Sequence, residues 1–374
     1  MKTVALLRSN PKDAAMLKTL AWLSSTYRVG CYLWDRQGDY VPIVKNKNLS
    51  YILCPVRAGY HDLKTLFKLI IFQLWLFGKL LTAHYDIIHA IDLDTGLVGL
   101  LIAKIRRKKL IYQCLDPYYA ALPSHWPSIL SHWARDLEDM VISHADLFII
   151  TDKQRLPQHK GATPRRLIEL PNIPNLGVEH SPPMAGPVMN VGYLGSLTEG
   201  RNLLTLIEAV GELQSAGIRL IVGGFGPLEE QAHALADLYD NVSFLPWVPY
   251  DRLLAIEAEF DLFVQVLDGH EENVRWGSAS PNKLFEAMAF GKPIIVGRET
   301  LTAQRVEAFG NGVAVTYGSK KELQDAILKF KKNPELVRDM GEKGRTEFQR
   351  NWRPEIMEKR LLDAYDQIFK SENQ

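Results

Sequence analysis

The sequence predicts an α/β protein of two doubly wound domains, and three observations support this. Short apolar runs alternate with helix-length amphipathic segments along almost the whole chain, which is typical of parallel sheets covered on both faces by helices. The length of 374 residues exceeds what one ordinary hydrophobic core accommodates. A segment with prolines at 171, 174, 182, 183 and 187 separates two such series and predicts a linker.

The apolar runs define the predicted strands in chain order. In the first half they are residues 3–7, 29–34, 87–90, 110–114, 147–150 and 167–170. In the second half they are residues 191–195, 219–223, 242–245, 262–266, 293–296 and 312–315. Predicted helices lie between them, for example at residues 202–215, 227–238 and 320–332.

These elements predict a first domain at residues 1–173, a linker at 174–188 and a second domain at 189–353. A final helix within residues 354–374 has no strand of its own and could pack back on the first domain. Because ligands of doubly wound domains bind at the carboxyl ends of the strands, we expect a site in a cleft between the two domains.

Composition limits the classes of function. The chain is 47% hydrophobic and 23% charged, as folded globular proteins are, and its net charge of +1 gives no overall field that would attract nucleic acid. Its three cysteines are an odd number without metal-ligand spacing, which favours a reducing compartment. The first residues read directly as a strand and not as a signal peptide, so we expect a cytoplasmic location.

The segment from Leu66 to Leu81 is apolar nearly all round but shorter than the roughly 20 residues that span a bilayer. It predicts either a buried core helix or a helix lying in the membrane interface with its lysines reaching outward. The five cations between Lys104 and Lys109 could contact anionic headgroups. Alternatively they are a solvated helix end that complements the helix dipole. Both alternatives remain open from the sequence.

Residues 277–291 carry the most specific functional signal. Ser280 and Pro281 predict the N-cap and the first residue of a helix. The unpaired N–H groups of such a helix start suit a phosphate. Lys283 adds a cation near this end, and Glu286, one turn further on, could accept hydrogen bonds from sugar hydroxyls. The alternative is an ordinary capped helix with a Lys283–Glu286 surface pair.

Four segments of the second half resemble, in order and spacing, the motifs of the family-4 glycosyltransferases, which have the GT-B fold of two Rossmann-like domains facing a cleft. They are residues 193–201 (YLGSLTEGR), 223–229 (GGFGPLE), 241–245 (NVSFL) and 280–288 (SPNKLFEAM). Looser matches in the first half are residues 8–11, 89–95 and 116–119. The resemblance covers nearly the whole chain and implies transfer of a sugar from a nucleotide donor.

The resemblance implies a donor site in the second domain. Its implied donor-binding residues are Gly195, Ser196, Gly224, Gly226, Val248, Ser278, Ser280, Pro281, Asn282 and Glu286. Arg201 and Lys283 would stabilise the charge that develops on the leaving diphosphate. Relatives commonly carry an arginine at the position of Ser196 and a glutamate at that of Ser278, so this chain departs from the pattern twice. The glycine turn could instead serve only a tight connection, and Arg201 could be a surface residue of a helix start.

In the first domain, the resemblance implies that the loop with His89 and Asp92 contacts the reacting sugar. His89 and Asp92 are therefore candidate catalytic residues. Relatives often carry a second histidine at the position of Ile91, so His89 could equally be a core histidine. Asp92 and Asp94 form an Asp-x-Asp pair, with which another glycosyltransferase fold holds Mn²⁺ or Mg²⁺. Because the second domain already offers cations to the diphosphate, we expect metal-independent transfer, no metal site and no cofactor.

The resemblance therefore implies a retaining transfer from a nucleotide diphosphate sugar to a lipid-linked or cell-envelope glycan, with possible peripheral membrane contact. A sugar-nucleotide epimerase of the same fold is one alternative. A nucleotide-sugar-binding partner without turnover is another, suggested by the departures at Ser196, Ser278 and Ile91. A nicotinamide-dependent dehydrogenase is disfavoured, because no Gly-x-Gly-x-x-Gly opens the first strand–helix unit.

Overall fold

The chain folds into two compact units, Met1–Asn172 with Glu355–Gln374, and Ile173–Pro354. A computed structural model describes residues 1–59, 63–122, 127–174, 187–277 and 281–370. Each unit contains one parallel sheet with helices packed on it. The predicted class of two doubly wound α/β domains is therefore confirmed.

The first unit contains a seven-stranded sheet. Its strands are β1 (Thr3–Arg8), β2 (Arg28–Trp34), β3 (Leu49–Cys54), β4 (Ile87–Ile91), β5 (Lys109–Cys114), β6 (Leu147–Ile150) and β7 (Leu167–Glu169). Its helices include α1 (Ala14–Thr26), α2 (Leu63–Thr82), α3 (Leu93–Arg106) and α4 (Ser128–His144). The strand order is β3-β2-β1-β4-β5-β6-β7. The sequence prediction missed β3, a half-exposed edge strand that follows a polar loop.

The second unit contains a six-stranded sheet. Its strands are β8 (Met189–Ser196), β9 (Ile218–Phe225), β10 (Val242–Leu245), β11 (Leu262–Gln265), β12 (Ile294–Gly297) and β13 (Gly312–Val315). Its helices are α5 (Leu203–Gly211), α6 (Glu229–Ala236), α7 (Tyr250–Glu257), α8 (Glu272–Gly277), α9 (Asn282–Phe290), α10 (Leu301–Phe309), α11 (Lys320–Lys332) and α12 (Pro334–Asn351). The order β10-β9-β8-β11-β12-β13 reverses direction between β8 and β11. Ligands of such sheets bind beside that reversal.

The last helix, α13 (Pro354–Lys370), packs on the first unit. Its Tyr365 is fully buried and stacks on Tyr27 with ring centroids 5.5 Å apart. The Tyr27 hydroxyl donates a hydrogen bond of 2.8 Å to Asp366. Arg360 donates to the backbone carbonyl of Glu169 at 2.9 Å. Aromatic packing and polar contacts thus fix this helix beside strands that lie more than 180 residues earlier in the chain.

Helix α2 contains the apolar segment for which the sequence left two alternatives. Phe72, Leu76 and Leu80 are fully buried, and Phe72 stacks on Trp34 at a centroid distance of 4.9 Å. The outward face is also apolar, since Phe67 and Leu74 are 72% and 67% exposed. The helix therefore belongs to the core on one side only. None of the described helices combines the length and hydrophobicity needed to cross a bilayer.

Candidate active site

A cavity of about 570 Å³ opens at the carboxyl ends of β8 and β11, where the strand order of the second sheet reverses. The start of α9 forms another wall. Its lining residues are Tyr193, Leu194, Gly195, Ser196, Arg201, Leu253, Gln265, Leu267, Val274, Pro281, Asn282, Lys283 and Glu286. The cavity therefore contains both predicted cations of the second domain and the predicted ribose carboxylate.

The strand ends that frame the cavity approach each other closely. A side chain at Gly224, where φ is +141°, would place its Cβ 1.7 Å from the carbonyl oxygen of Gly195. At Gly226, φ is +149°, and a Cβ would lie 2.4 Å from the carbonyl oxygen of Leu197. Neither glycine lines the cavity. Both permit β9 and its following turn to pack on the end of β8, which favours the tight-connection alternative.

Arg201 lies in the turn between β8 and α5 and lines the cavity. The following residue, Asn202, has φ +53° and accepts a hydrogen bond from the backbone N–H of Gly318 at 3.1 Å. This contact fixes the turn that carries the arginine. Among the described residues, no carboxylate forms an ion pair with Arg201. Its guanidinium is therefore available to an anion in the cavity.

Lys283 is not a surface residue, and its charge is already compensated. Its ammonium donates hydrogen bonds to Glu257 at the end of α7 and to Glu286 at 2.8 Å. Glu257 and Glu286 are 0% and 1% exposed. We call these three residues the Glu257–Lys283–Glu286 triad. Lys283 is therefore already paired within the protein. Among the described residues that line the cavity, Arg201 is the cation without an ion-pair partner.

Burial dominates the electrostatics of the triad. It raises the pKa of Glu257 to about 8, and the nearby Glu286 carboxylate acts in the same direction. Burial lowers the pKa of Lys283, but the two carboxylates outweigh it, so that pKa is raised. Near neutral pH the triad therefore keeps a charged lysine and a largely protonated Glu257.

The start of α9 differs from the prediction by one residue. Pro281 has φ −74° and ψ 136°, so it is the N-cap and Asn282 begins the helix. Pro281 and Asn282 both line the cavity, which brings the positive end of the helix dipole to its wall. Ser278 and Ser280, predicted as donor contacts, lie outside the described residues. Val248 does not line the cavity.

His89 is a core residue in this structure. Its ring is fully buried, with Nδ1 2.6 Å from the Tyr365 hydroxyl and Nε2 3.0 Å from the side-chain oxygen of Gln113. Burial lowers the pKa of His89 to about 4, so the ring is neutral at physiological pH. Because both ring nitrogens are hydrogen-bonded, the structure favours the core alternative over the predicted role in catalysis.

Asp92 directly follows β4 and is the N-cap of α3, with φ +60°, an unusual conformation for a residue other than glycine. Its Oδ2 accepts from the Arg8 guanidinium, and its Oδ1 accepts from the backbone N–H of Leu115 at 2.9 Å. Burial raises the pKa of Asp92 to about 7, although Arg8 opposes this. Both carboxylate oxygens of Asp92 are thus engaged within the protein. The contacts favour a structural role in the turn over direct catalysis.

The sequence analysis missed two polar residues of this region. Glu257 belongs to no recognisable motif, because it lies 26 residues before its partner Lys283 in the sequence. Gln265, at the end of β11, lines the cavity, and its side-chain oxygen is buried without a hydrogen-bond partner among the described residues. A buried unpartnered acceptor at a cavity wall is suited to bind a donor group of a ligand.

A model of a known protein family matches most of the second unit. Residues 189–347, which contain every residue that lines the cavity, match the family model described as Glycosyl transferases group 1. No protein in the curated set matches the chain significantly.

Solved structures resemble the chain over both units. Sucrose-phosphate synthase from Thermosynechococcus elongatus is 17% identical with a TM-score of 0.76, covering 99% of this chain and 100% of that one. Anabaena HepE in complex with UDP is 16% identical with a TM-score of 0.71, covering 98% and 100%. WaaG, a glycosyltransferase involved in lipopolysaccharide biosynthesis, is 15% identical with a TM-score of 0.65, covering 96% and 98%. This likeness shows the GT-B fold.

Proposed function

We propose that this glycosyltransferase, whose residues 189–347 form a glycosyl transferases group 1 domain, transfers a sugar from a nucleotide diphosphate sugar with retention of configuration. The proposed acceptor is a lipid-linked or cell-envelope glycan at the cytoplasmic face of the membrane. One observation carries the proposal: the cavity brings an uncompensated arginine and a helix start together at the strand-order reversal.

The cavity suits a leaving diphosphate. When the bond between the anomeric carbon and the diphosphate oxygen breaks, negative charge develops on that oxygen. Arg201 can donate two parallel hydrogen bonds to the diphosphate, and the first amides of α9 can donate others along the helix dipole. Preorganised donors of this kind stabilise a transition state without having to reorganise. We propose that they act without a metal ion.

Glu286 is the proposed partner of the ribose. Its Oε2 accepts from Lys283, and its side chain lines the cavity, where it could also accept hydrogen bonds from ribose hydroxyls. The contact with Lys283 holds the Glu286 side chain in one position. Gln265 supplies a further acceptor at the wall of the cavity.

The acceptor proton has a destination that needs no side-chain base. As the acceptor oxygen bonds to the anomeric carbon, its proton passes to the oxygen of the leaving diphosphate. This route agrees with the contacts of His89, whose nitrogens are both engaged. The first unit would then bind and orient the acceptor.

Donor binding is the first test. Because the HepE structure contains UDP, and a further HepE structure contains UDP-glucose, uridine diphosphate sugars should be compared first with guanosine and adenosine diphosphate sugars. A ligand at 100 times its dissociation constant stabilises the folded chain by about 2.7 kcal/mol, so the preferred donor should raise the melting temperature distinctly. If no nucleotide sugar stabilises the chain, the proposal is wrong.

Product analysis separates the alternatives. An epimerase would convert the donor sugar with no acceptor present. A binding partner without turnover, for which Ser196 in the cavity is the supporting observation, would bind donor and form no glycoside with any acceptor offered. The proposed transferase forms a glycoside with the α or β configuration of its donor, which ¹H nuclear magnetic resonance of the product identifies.

We further propose that the first unit contacts an anionic membrane surface. Helices α2, α3 and α4 form one layer, and many of their exposed side chains are large and apolar. We call this surface the apolar helix face; its residues are Phe67, Ile70, Ile71, Leu74, Leu101, Ile105, Ile129, Trp133, Leu137 and Met140. A soluble surface rarely carries so many neighbouring apolar side chains without a partner.

Cations lie beside this face. A depression of about 280 Å³ at the end of α3 is lined by Lys104, Arg107, Lys108 and Arg165. Two of the five predicted cations have other contacts within the protein: Arg106 stacks on Tyr85, and Lys109 pairs with Asp146 at 3.1 Å. The cations of the depression could bind lipid phosphate while the apolar helix face enters the interface.

Flotation with vesicles tests the membrane proposal. The wild-type protein should float with vesicles that contain phosphatidylglycerol. A smaller fraction of it should float with neutral phosphatidylcholine vesicles. Leu74→Glu should reduce retention on the order of tenfold, because burial of a leucine contributes about 1.5–3 kcal/mol. Leu238→Glu is the matched control, since Leu238 is 73% exposed in the second unit. Equal retention of both variants would contradict the proposal.

A further inference from the structure

We propose that Cys114, Glu138 and His159 form a binding site for a zinc-type divalent cation inside the first unit. Cys114 ends β5, Glu138 lies on α4, and His159 ends a 3₁₀ helix at Lys153–His159. All three are buried, at 2%, 0% and 4% exposure. The site is separate from the donor cavity, and the inference does not depend on the proposed function.

The distances match the coordination of zinc. The Cys114 Sγ lies 3.7 Å from Glu138 Oε1 and 3.8 Å from His159 Nε2, and the three ligand atoms lie within 4.8 Å of one another. Zinc binds sulfur at about 2.3 Å and nitrogen or oxygen at about 2.1 Å, so tetrahedral ligands of these types are about 3.6 Å apart. The two distances from the sulfur therefore match a zinc site to within a few tenths of an ångström. The third pair of ligand atoms, on Glu138 and His159, lies within 4.8 Å and would close further around the ion.

The surrounding contacts are those that support metal ligands. Glu138 accepts from the Tyr112 hydroxyl at 2.6 Å and from the backbone N–H of Tyr118 at 3.1 Å, which fixes both carboxylate oxygens. On the other side, His159 Nδ1 lies 3.5 Å from Asp139 Oδ1. Neither of these two atoms has a hydrogen-bond partner among the described residues. Metal-bound histidines usually donate their second N–H to a carboxylate in this way.

The charges favour a divalent cation. The Cys114 sulfur and the Glu138 carboxyl are both buried and lie 3.7 Å apart. Without a cation, the buried thiolate and carboxylate would therefore be costly to ionise together. A bound divalent ion balances both negative charges, and the thiol releases its proton to solvent on binding. The mixture of sulfur, nitrogen and oxygen favours zinc over magnesium or calcium.

A cation here would connect three segments of the first unit that are far apart in sequence. Leu115, which directly follows Cys114, donates to Asp92 and accepts from Arg155 at 2.9 Å. The site would therefore also hold the strand end that fixes the turn after β4. Its role is structural, and three protein ligands leave one tetrahedral position for a further ligand.

Metal content and cobalt substitution test this inference on the full chain. Chain produced with zinc in the medium should contain about one zinc per molecule by mass spectrometry. Replacement with Co²⁺ should give a thiolate-to-cobalt charge-transfer band. Cys114→Ser should lose the band, whereas Cys54→Ser should retain it, because Cys54 is a buried cysteine of β3 outside the cluster. His159→Gln should lower cobalt affinity at least tenfold.

Two results would overturn the site. One is a wild-type chain that contains no zinc and gives no charge-transfer band, which would make the cluster a hydrogen-bonded network only. The other is a band that persists in Cys114→Ser, which would place the metal elsewhere. The wild-type spectrum decides the question even if Cys114→Ser does not fold.

Discussion

Replacement of Glu257 by glutamine should change how the stability of the second unit depends on pH. In the wild type, the Glu257 carboxyl is fully buried and hydrogen-bonded within the triad. Burial and the nearby Glu286 raise its pKa from 4.5 to about 8. Between these values the folded chain keeps the proton that the unfolded chain releases. The free energy of unfolding therefore falls as pH rises through this window.

The magnitude follows from linkage. One proton held only by the folded state changes the free energy of unfolding by about 1.4 kcal/mol per pH unit. Glu257 alone therefore accounts for up to about 5 kcal/mol between pH 4.5 and 8. Glutamine resembles the protonated acid in shape, and its oxygen can still accept from Lys283. Glu257→Gln should thus match wild type near pH 5 and become relatively more stable toward pH 8.

Differential scanning calorimetry of both proteins at pH 5, 6, 7 and 8 measures this difference. Contributions from other titrating groups largely cancel between the two proteins. Glu259→Gln is the matched control, because Glu259 is exposed and lies two residues further along the chain. A difference between Glu257→Gln and wild type that stays constant across the four pH values would refute the reasoning.

Three further predictions concern single contacts. Arg201→Gln should weaken nucleotide-sugar binding by roughly 10- to 100-fold in calorimetric titration, because hydrogen bonds to charged groups contribute about 1.5–3 kcal/mol. The control variant Arg219→Gln, which changes an exposed residue of β9, should bind the nucleotide sugar as the wild type does. Gly224→Ala should destabilise the chain by more than about 3 kcal/mol in thermal unfolding, whereas Gly78→Ala, which meets no atom within 4 Å, should be tolerated. Tyr365→Phe should lower stability by about 1–3 kcal/mol, since it leaves a buried histidine nitrogen unpaired.

The fold could be predicted because its signals are local. Apolar runs placed the six strands of the second unit, and α11 occupies the predicted residues Lys320–Lys332. The edge strand β3 was missed, because a half-exposed strand lacks a continuous apolar run. Helix α2 could not be assigned to core or interface, since the sequence shows its hydrophobicity but not which face other elements cover.

The site could be predicted only in part, for a related reason. Residues of the helix start, from Pro281 to Glu286, are close in sequence and carry a motif. Glu257 has no motif and reaches Lys283 only because α7 and α9 lie together. Likewise, 24 and 21 residues separate Cys114, Glu138 and His159, so no ligand spacing indicates that they meet. Burial and long-range contacts, which a sequence pattern does not contain, decide the charge state of such groups.

The central claim is that Arg201 and the start of α9 bind the diphosphate of a nucleotide sugar. A crystal structure of the chain with its stabilising donor tests this most directly. The account predicts phosphate oxygens within hydrogen-bond distance of the Arg201 guanidinium and the first amides of α9, with the ribose on Glu286. Density for the nucleotide at any other place, with this cavity holding only solvent, would contradict it.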